Sequence, residues 1–338
     1  MGKQATDKAA ADKPVIGMDL GGTKILAGVV SIDGKVLGTA KRSTKAAGGP
    51  QIVIERMIKT ARDAVEAAGL ELDDIAALGT GAPGPLDPDR GLVLRTPNLV
   101  GWDDVPLAQM LSEGLGLPAF IENDVNLGTL GEHTLGAGKG VKDMVGIFVG
   151  TGIGGGLILD GALRQGWRKA CAEVGHMILL AEGPVCGCGN RGCLEALASR
   201  TAIERDIWAG IKAGRDSLIP QILDKSDRLT SGALAEAWDK EDPLVREVIG
   251  RSQFYLGLAV ASLVNLLDPE LIVLGGGVVE ALGEKYLEPI RAVAYQYFIN
   301  KRGAKDVKIV PAQLGDLAGL LGAATWARLQ LRRAANQA

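Results

Sequence analysis

The stretch VIGMDLGGTKILAGVVSIDG, Val15–Gly34, decides the fold. Two apolar runs flank the short polar joint Gly21-Gly22-Thr23-Lys24. That pattern predicts a β-hairpin, with Asp33-Gly34 as the next turn into a third strand. The plan returns at Met144–Gly161, MVGIFVGTGIGGGLILDG, where a Gly/Thr turn again separates two apolar runs and Asp160-Gly161 closes the second. Strand, glycine turn, strand, Asp-Gly turn, third strand, written twice, reads as an internal duplication. The expected fold class is therefore α/β, two related domains that each open on a glycine-rich hairpin, with the cleft between them as the default site.

The rest of the chain alternates helical and strand patterns. Residues 52–69 have helical periodicity and a closing glycine. IAALGTGAPGPL, from Ile75, reads as a strand running into a Gly/Pro loop. LPAFIENDVN, from Leu117, reads as a strand ending on polar residues, with a helix starting at Val125. Helices are expected over 194–210, 231–238, 244–267 and 317–333, and LIVLGGGV, from Leu271, as a buried strand ending in three glycines. Lys and Arg total 37 against 40 Asp and Glu, and no basic block stands out, which argues against a nucleic-acid partner. The first 13 residues are polar without an apolar segment and read as a disordered tail. No apolar run has the length of a membrane span, so the expectation is a cytoplasmic protein without membrane association.

Gly150, Gly152 and Gly155 satisfy G-x-G-x-x-G, but that dinucleotide fingerprint needs a helix after the glycines, and a strand pattern follows. A glycine turn between antiparallel strands can instead offer backbone N–H groups and a threonine hydroxyl to phosphates. Two matched turns, with Gly275–Gly277 as a third glycine cluster, favour nucleotide binding over hairpins that merely turn tightly. Asp19, at the end of the first strand, is placed to hold Mg²⁺ directly or through water.

Three of the four cysteines, Cys186, Cys188 and Cys193, crowd into eight residues after His176. One histidine and three thiolates suit a closed, structural, tetrahedral zinc site; the rival reading is a disulfide pair. Glu173 and Glu195 bracket the cluster, and a metal that staples this loop can aim them at a ligand.

Asn123-Asp124 closes an apolar strand. Asp124 can accept a proton from a substrate hydroxyl that attacks a phosphoryl group, and Asn123 can pair with a sugar hydroxyl. The competing reading is a helix N-cap, with Glu122 simply exposed. His133 and Cys171 have no partner pattern for nucleophilic catalysis and read as structural.

Together the motifs DLGGTK, GAPGPLD, NLVGW, ENDVN, FVGTGIGGG, EVGH, CGCGNRGCLE and LGGGV resemble the ROK family of sugar kinases and related repressors, from about Val15 to Arg333. The resemblance implies an actin-like, hexokinase-like (ribonuclease H-like) fold with a duplicated β-sheet core. It implies a small domain of residues 14–122 plus 318–338 and a large one of residues 123–317 carrying the zinc site, the last helix crossing back to the first domain. It makes Asp124 the general base for the sugar 6-hydroxyl. It gives Asn123, Glu173, His176 and Glu195 to the sugar hydroxyls, with Gly84 and Asn98 in support, and His176, Cys186, Cys188 and Cys193 to zinc. Contacts to ATP fall to Asp19, Gly21, Gly22, Thr23, Lys24, Thr151, Gly152, Gly154, Gly155, Gly275, Gly276 and Gly277. Activity would be ATP- and Mg²⁺-dependent phosphorylation of a hexose, glucose first, by a homodimer or homotetramer. An N-acetylglucosamine or N-acetylmannosamine kinase, a polyphosphate-dependent kinase and a non-catalytic sugar-binding regulator are the alternatives. The chain departs from many relatives in KACAEVGH, where small residues and glycines are common, and in the valine of ENDVN.

Overall fold

The computed structural model describes residues 13–96, 99–223 and 229–337. Apart from Lys13, the N-terminal tail lies outside the described residues, as does Asn98. The chain divides into two compact units, residues 1–140, 163–171 and 316–338 in the first and residues 141–162 and 172–315 in the second.

In the first unit, β1 (Val15–Leu20) and β2 (Lys24–Val30) form the expected hairpin, and β3 (Val36–Ser43) follows the Asp33-Gly34 turn. Helix α1 (Gly49–Ala67) starts with Pro50 in its first turn, where the missing N–H costs nothing. Strand β4 (Leu78–Ala82) pairs parallel to β1. Short strands β5 (Leu86–Asp87), β6 (Leu92–Arg95) and β7 (Asp103–Val105) make a small separate sheet. Helix α2 (Leu107–Leu115) leads to β8 (Ala119–Asn123), and helix α3 (Asp124–Leu135) follows without a gap. The main sheet runs β3-β2-β1-β4-β8.

The second unit repeats this order. Strands β9 (Met144–Val149) and β10 (Ile153–Leu159) form the second glycine hairpin, and β11 (Ala162–Leu163) follows Asp160-Gly161. Helices α4 (Leu194–Ala198), α5 (Arg200–Lys212), α6 (Ile219–Leu223), α7 (Ser231–Asp239) and α8 (Pro243–Leu267) come next. Then follow β12 (Leu271–Gly275), α9 (Gly277–Leu282), α10 (Glu284–Tyr297) and β13 (Lys308–Pro311). The sheet order is β11-β10-β9-β12-β13, and its antiparallel β10–β9 pair and parallel β9–β12 and β12–β13 pairs match β2–β1, β1–β4 and β4–β8 of the first sheet. The helix expected over 194–210 is two helices, because Ser199 is extended and caps α5 through Ala202 N–H.

Helix α11 (Ala318–Gln337) belongs to the first unit. Along β1, Ile16, Met18 and Leu20 enter the core with Val53 and Met57 of α1. The alternate residue Gly17 faces α11, where an added Cβ would lie 2.0 Å from the Leu320 carbonyl oxygen. Gly79 on β4 meets Ala323 in the same way, at 2.0 Å. Helix α3 lies equally close to α11: a Cβ on Gly322 would stand 1.7 Å from the Leu127 carbonyl oxygen. This backbone-to-backbone packing places α3 in the first unit, which runs on to Gly140. Among the described residues no helix is long and apolar enough to cross a membrane.

Candidate functional site

In the first unit the turn after β1 is closed by Gly21 N–H donating to the Lys24 carbonyl at 2.9 Å. Thr44 braces it from behind, its hydroxyl on Gly21 O and its N–H on Thr23 O. Gly22 and Thr23 are left exposed at the tip. Lys24 Nζ pairs with Asp316 Oδ2 at 2.7 Å, an acidic neighbour that the sequence motifs did not reveal. Asp19 sits on the α11 face of β1, against Gly319. Burial pushes its carboxyl up to about 6, with Lys24 pulling down and Asp316 pushing up. A divalent cation here would reverse that penalty by stabilising the ionised form.

At the end of β8, the expected capping function falls to Asn123, whose Oδ1 accepts Val125 N–H at 3.0 Å and Asn126 N–H at 3.1 Å. Asp124 is then the first residue of α3, half-buried, its Oδ1 accepting Val125 N–H at 2.9 Å. A carboxylate in the first turn lies where the helix dipole favours negative charge. The exposed placement read for Glu122 is wrong: it is 1% exposed, because β8 directs it inward to donors from α3 and from Gln165. Gly84, at φ 87°, passes so close to strand β6 that a Cβ would meet the Arg95 carbonyl oxygen at 2.5 Å.

In the second unit the turn after β9 is tighter, with Gly150 N–H on the Gly152 carbonyl at 2.9 Å. Arg200 was not legible as a site residue, yet it frames this turn. Its N–H donates to Gly150 O and its guanidinium to the Thr151 hydroxyl at 2.9 Å. Gly154 and Gly155 continue into β10 rather than a helix, which excludes the dinucleotide geometry. The third cluster differs from the other two: β12 ends at Gly275, Gly276 turns with φ 90°, and α9 starts at Gly277 beside Ser231.

His176, Cys186, Cys188 and Cys193 place one ligand atom each within 4.8 Å of one another. Cys186 Sγ stands 3.7 Å from His176 Nδ1 and Cys188 Sγ 3.7 Å from Cys193 Sγ. All four cysteines of the chain are free thiols, which removes the disulfide reading. Separations near 3.7 Å are those of tetrahedral sulfur and nitrogen ligands about one ion at roughly 2.0–2.3 Å, so these four residues can hold a metal. The cluster is anchored by the Ile178–Cys193 and Val185–Arg191 bridges. Just beyond it Glu195 turns back to β10, Oε2 accepting Ile153 N–H at 3.0 Å, with Oε1 3.6 Å from Cys186 Sγ. Glu173 is exposed, on the residue before the single turn Val174–His176.

Known proteins are similar to this chain in sequence and in fold. Glucokinase from Thermotoga maritima is 36% identical over 92% of this chain and 96% of its own length. The ROK hexokinase structure from Thermus thermophilus superimposes with a TM-score of 0.80 at 38% identity, covering 95% of this chain and 99% of that one. The ROK family glucokinase from Streptomyces griseus, solved with glucose and AMPPNP, gives 0.79 at 34% identity over 94% and 99%. The ROK family pattern itself runs through residues 15–330, and with the duplicated sheets, both glycine hairpins and the His–Cys cluster in place the chain belongs to the ROK family.

Proposed function

We propose that the chain is an ATP-dependent glucokinase, transferring the terminal phosphoryl group of ATP to the 6-hydroxyl of D-glucose. The likeness to glucokinases over more than nine-tenths of the chain carries this reading. Asp124 accepts the hydroxyl proton as that oxygen forms its bond to phosphorus, and the bond to the ADP oxygen breaks. Asn123, Glu173, His176 and Glu195 hold sugar hydroxyls, with Gly84 and Asn98 in support. The turns at Gly21–Lys24, Thr151–Gly155 and Gly275–Gly277 hold the nucleotide. Asp19 would hold Mg²⁺, which would supply positive charge against the phosphates. His176, Cys186, Cys188 and Cys193 would hold structural zinc, which would staple the loop ahead of Glu195. The free thiols suit a reducing cytoplasm, and by analogy the enzyme works as a homodimer or homotetramer.

The test is ADP release from Mg-ATP across glucose, mannose, N-acetylglucosamine, N-acetylmannosamine and fructose, with Asp124→Asn in parallel. Turnover on glucose that the variant loses supports the assignment. Preference for an N-acetylated hexosamine keeps the chemistry and changes the substrate. No turnover on any sugar overturns it.

A further inference from the structure

Glu122 is a buried carboxylate that the chemistry above leaves unused. Desolvation raises its pKa, against hydrogen bonds from Asn126, Asn123 and Gln165 and the charge of Lys169. Its two oxygens serve different parts of the chain. Oε1 accepts the Asn123 N–H at 2.8 Å and the Asn126 amide at 3.0 Å, both at the start of α3. Oε2 accepts the Gln165 amide. Asn126 is itself buried, and its side-chain amide donates to Glu122 while its Oδ1 has no hydrogen-bond partner among the described residues.

Gln165 lies on residues 163–171, the segment by which the chain returns to the first unit before leaving it ahead of Glu173. The same segment is held a second time. Lys169, in the left-handed region at φ 58°, pairs with Asp89 Oδ2 at 2.8 Å and reaches Gln165 Oε1 at 3.4 Å. Burying a carboxylate costs several kcal/mol unless donors replace its water. Here the donors come from two stretches about 40 residues apart in sequence, so the carboxylate works as a tie between them.

We propose, on the reading of Asp124 as the base, that Glu122 and Gln165 are a positioning pair that fixes the start of α3, and with it Asp124, against the 163–171 segment. The pair sets the turnover rate rather than nucleotide affinity, since misplacing a catalytic group by about 1 Å costs on the order of 100-fold.

The experiment uses Gln165→Glu, Glu122→Gln and the two together. Gln165→Glu sets carboxylate against carboxylate. It should lower kcat on the order of 10- to 100-fold with KM for ATP unchanged, and speed amide exchange across residues 163–171. The double variant restores an amide–carboxylate pair with its polarity reversed and should recover most of both. Unchanged kcat and exchange in Gln165→Glu, or a double variant no better than that single one, would overturn the pair. If the parent protein turns over no sugar, the kinase reading fails, and exchange in the three variants still decides whether the tie exists.

Discussion

Glu195 Oε2 accepts the backbone N–H of Ile153 at 3.0 Å, so a proposed sugar carboxylate is hydrogen-bonded to the first residue of β10, directly after the second glycine turn. The contact is possible only because residue 152 has no side chain: a Cβ there would lie 2.2 Å from that same oxygen. Gly152→Ala should therefore displace Glu195 and raise KM for the sugar about tenfold with a smaller change in kcat, the signature of lost ground-state binding. Steady-state kinetics beside Glu195→Gln checks this; an unchanged KM in both variants would remove Glu195 from the sugar site.

Asp19 makes the second prediction. Its carboxyl titrates at about 6 in the folded chain against 3.8 for the unfolded reference. The folded state thus holds its proton more tightly. This group's contribution to stability is most favourable below the unfolded value and is lost as pH rises through the window up to about 6. Two pKa units correspond to at most about 3 kcal/mol. Asp19→Asn should raise stability at pH 7 and flatten its dependence on pH in that window, read by denaturation at several pH values. The same variant should weaken use of Mg-ATP, because the ionised carboxylate is the form a cation needs.

Removing the metal is the third. With Cys193 fully buried and Cys186 nearly so, a strong chelator should loosen the loop between His176 and Glu195. Elemental analysis is expected to find one zinc per chain in the parent protein and none in Cys193→Ser. A loss of roughly 3 kcal/mol would lower Tm by about 6–12 °C for a unit of this size. An unchanged Tm after complete removal of the ion would show that the metal does not hold the fold.

Gly17→Ala and Gly79→Ala supply the fourth. Each Cβ would strike a carbonyl oxygen of α11, and backbone cannot swing away as a side chain can. Overpacking of this kind costs about 1–3 kcal/mol and occasionally more; the upper part of that range is expected here, measured by urea denaturation. Gly69→Ala makes a useful contrast, since its Cβ meets nothing within 4 Å and only its positive φ of 69° resists the change.

The duplicated hairpins were legible because their signals are local: period-two apolar runs, glycine joints and Asp-Gly turns each act within a few residues. The His–Cys cluster was legible for the same reason, its ligands lying within one short stretch. Ser199 was missed as a break because helical periodicity continues on both sides of it. Glu122 was misread because its exposure depends on Gln165, a partner that no spacing rule connects to it. Arg200 and Asp316 fall in the same class: each reaches a glycine turn only after the chain has folded, Arg200 from 49 residues away and Asp316 from 292. Lys169 and Ala172, both in KACAEVGH, adopt left-handed backbone at φ 58° and 64°, which nothing in their residue types signals.

The close approach of α11 to β1, β4 and α3 has a consequence for how the protein is made. Residues 172–315, the bulk of the second unit, emerge from the ribosome before α11, so that unit can complete itself during synthesis. The first unit cannot, because the surface against which Gly17, Gly79 and Leu127 pack does not yet exist. Until residues 318–337 appear, its sheet keeps one face open and the helix that starts at Asp124 lacks its partner. Such long-range closure is slow and leaves apolar surface exposed in the interval. The protein therefore gains its proposed proton acceptor late, in the same step that seals the unit which started first.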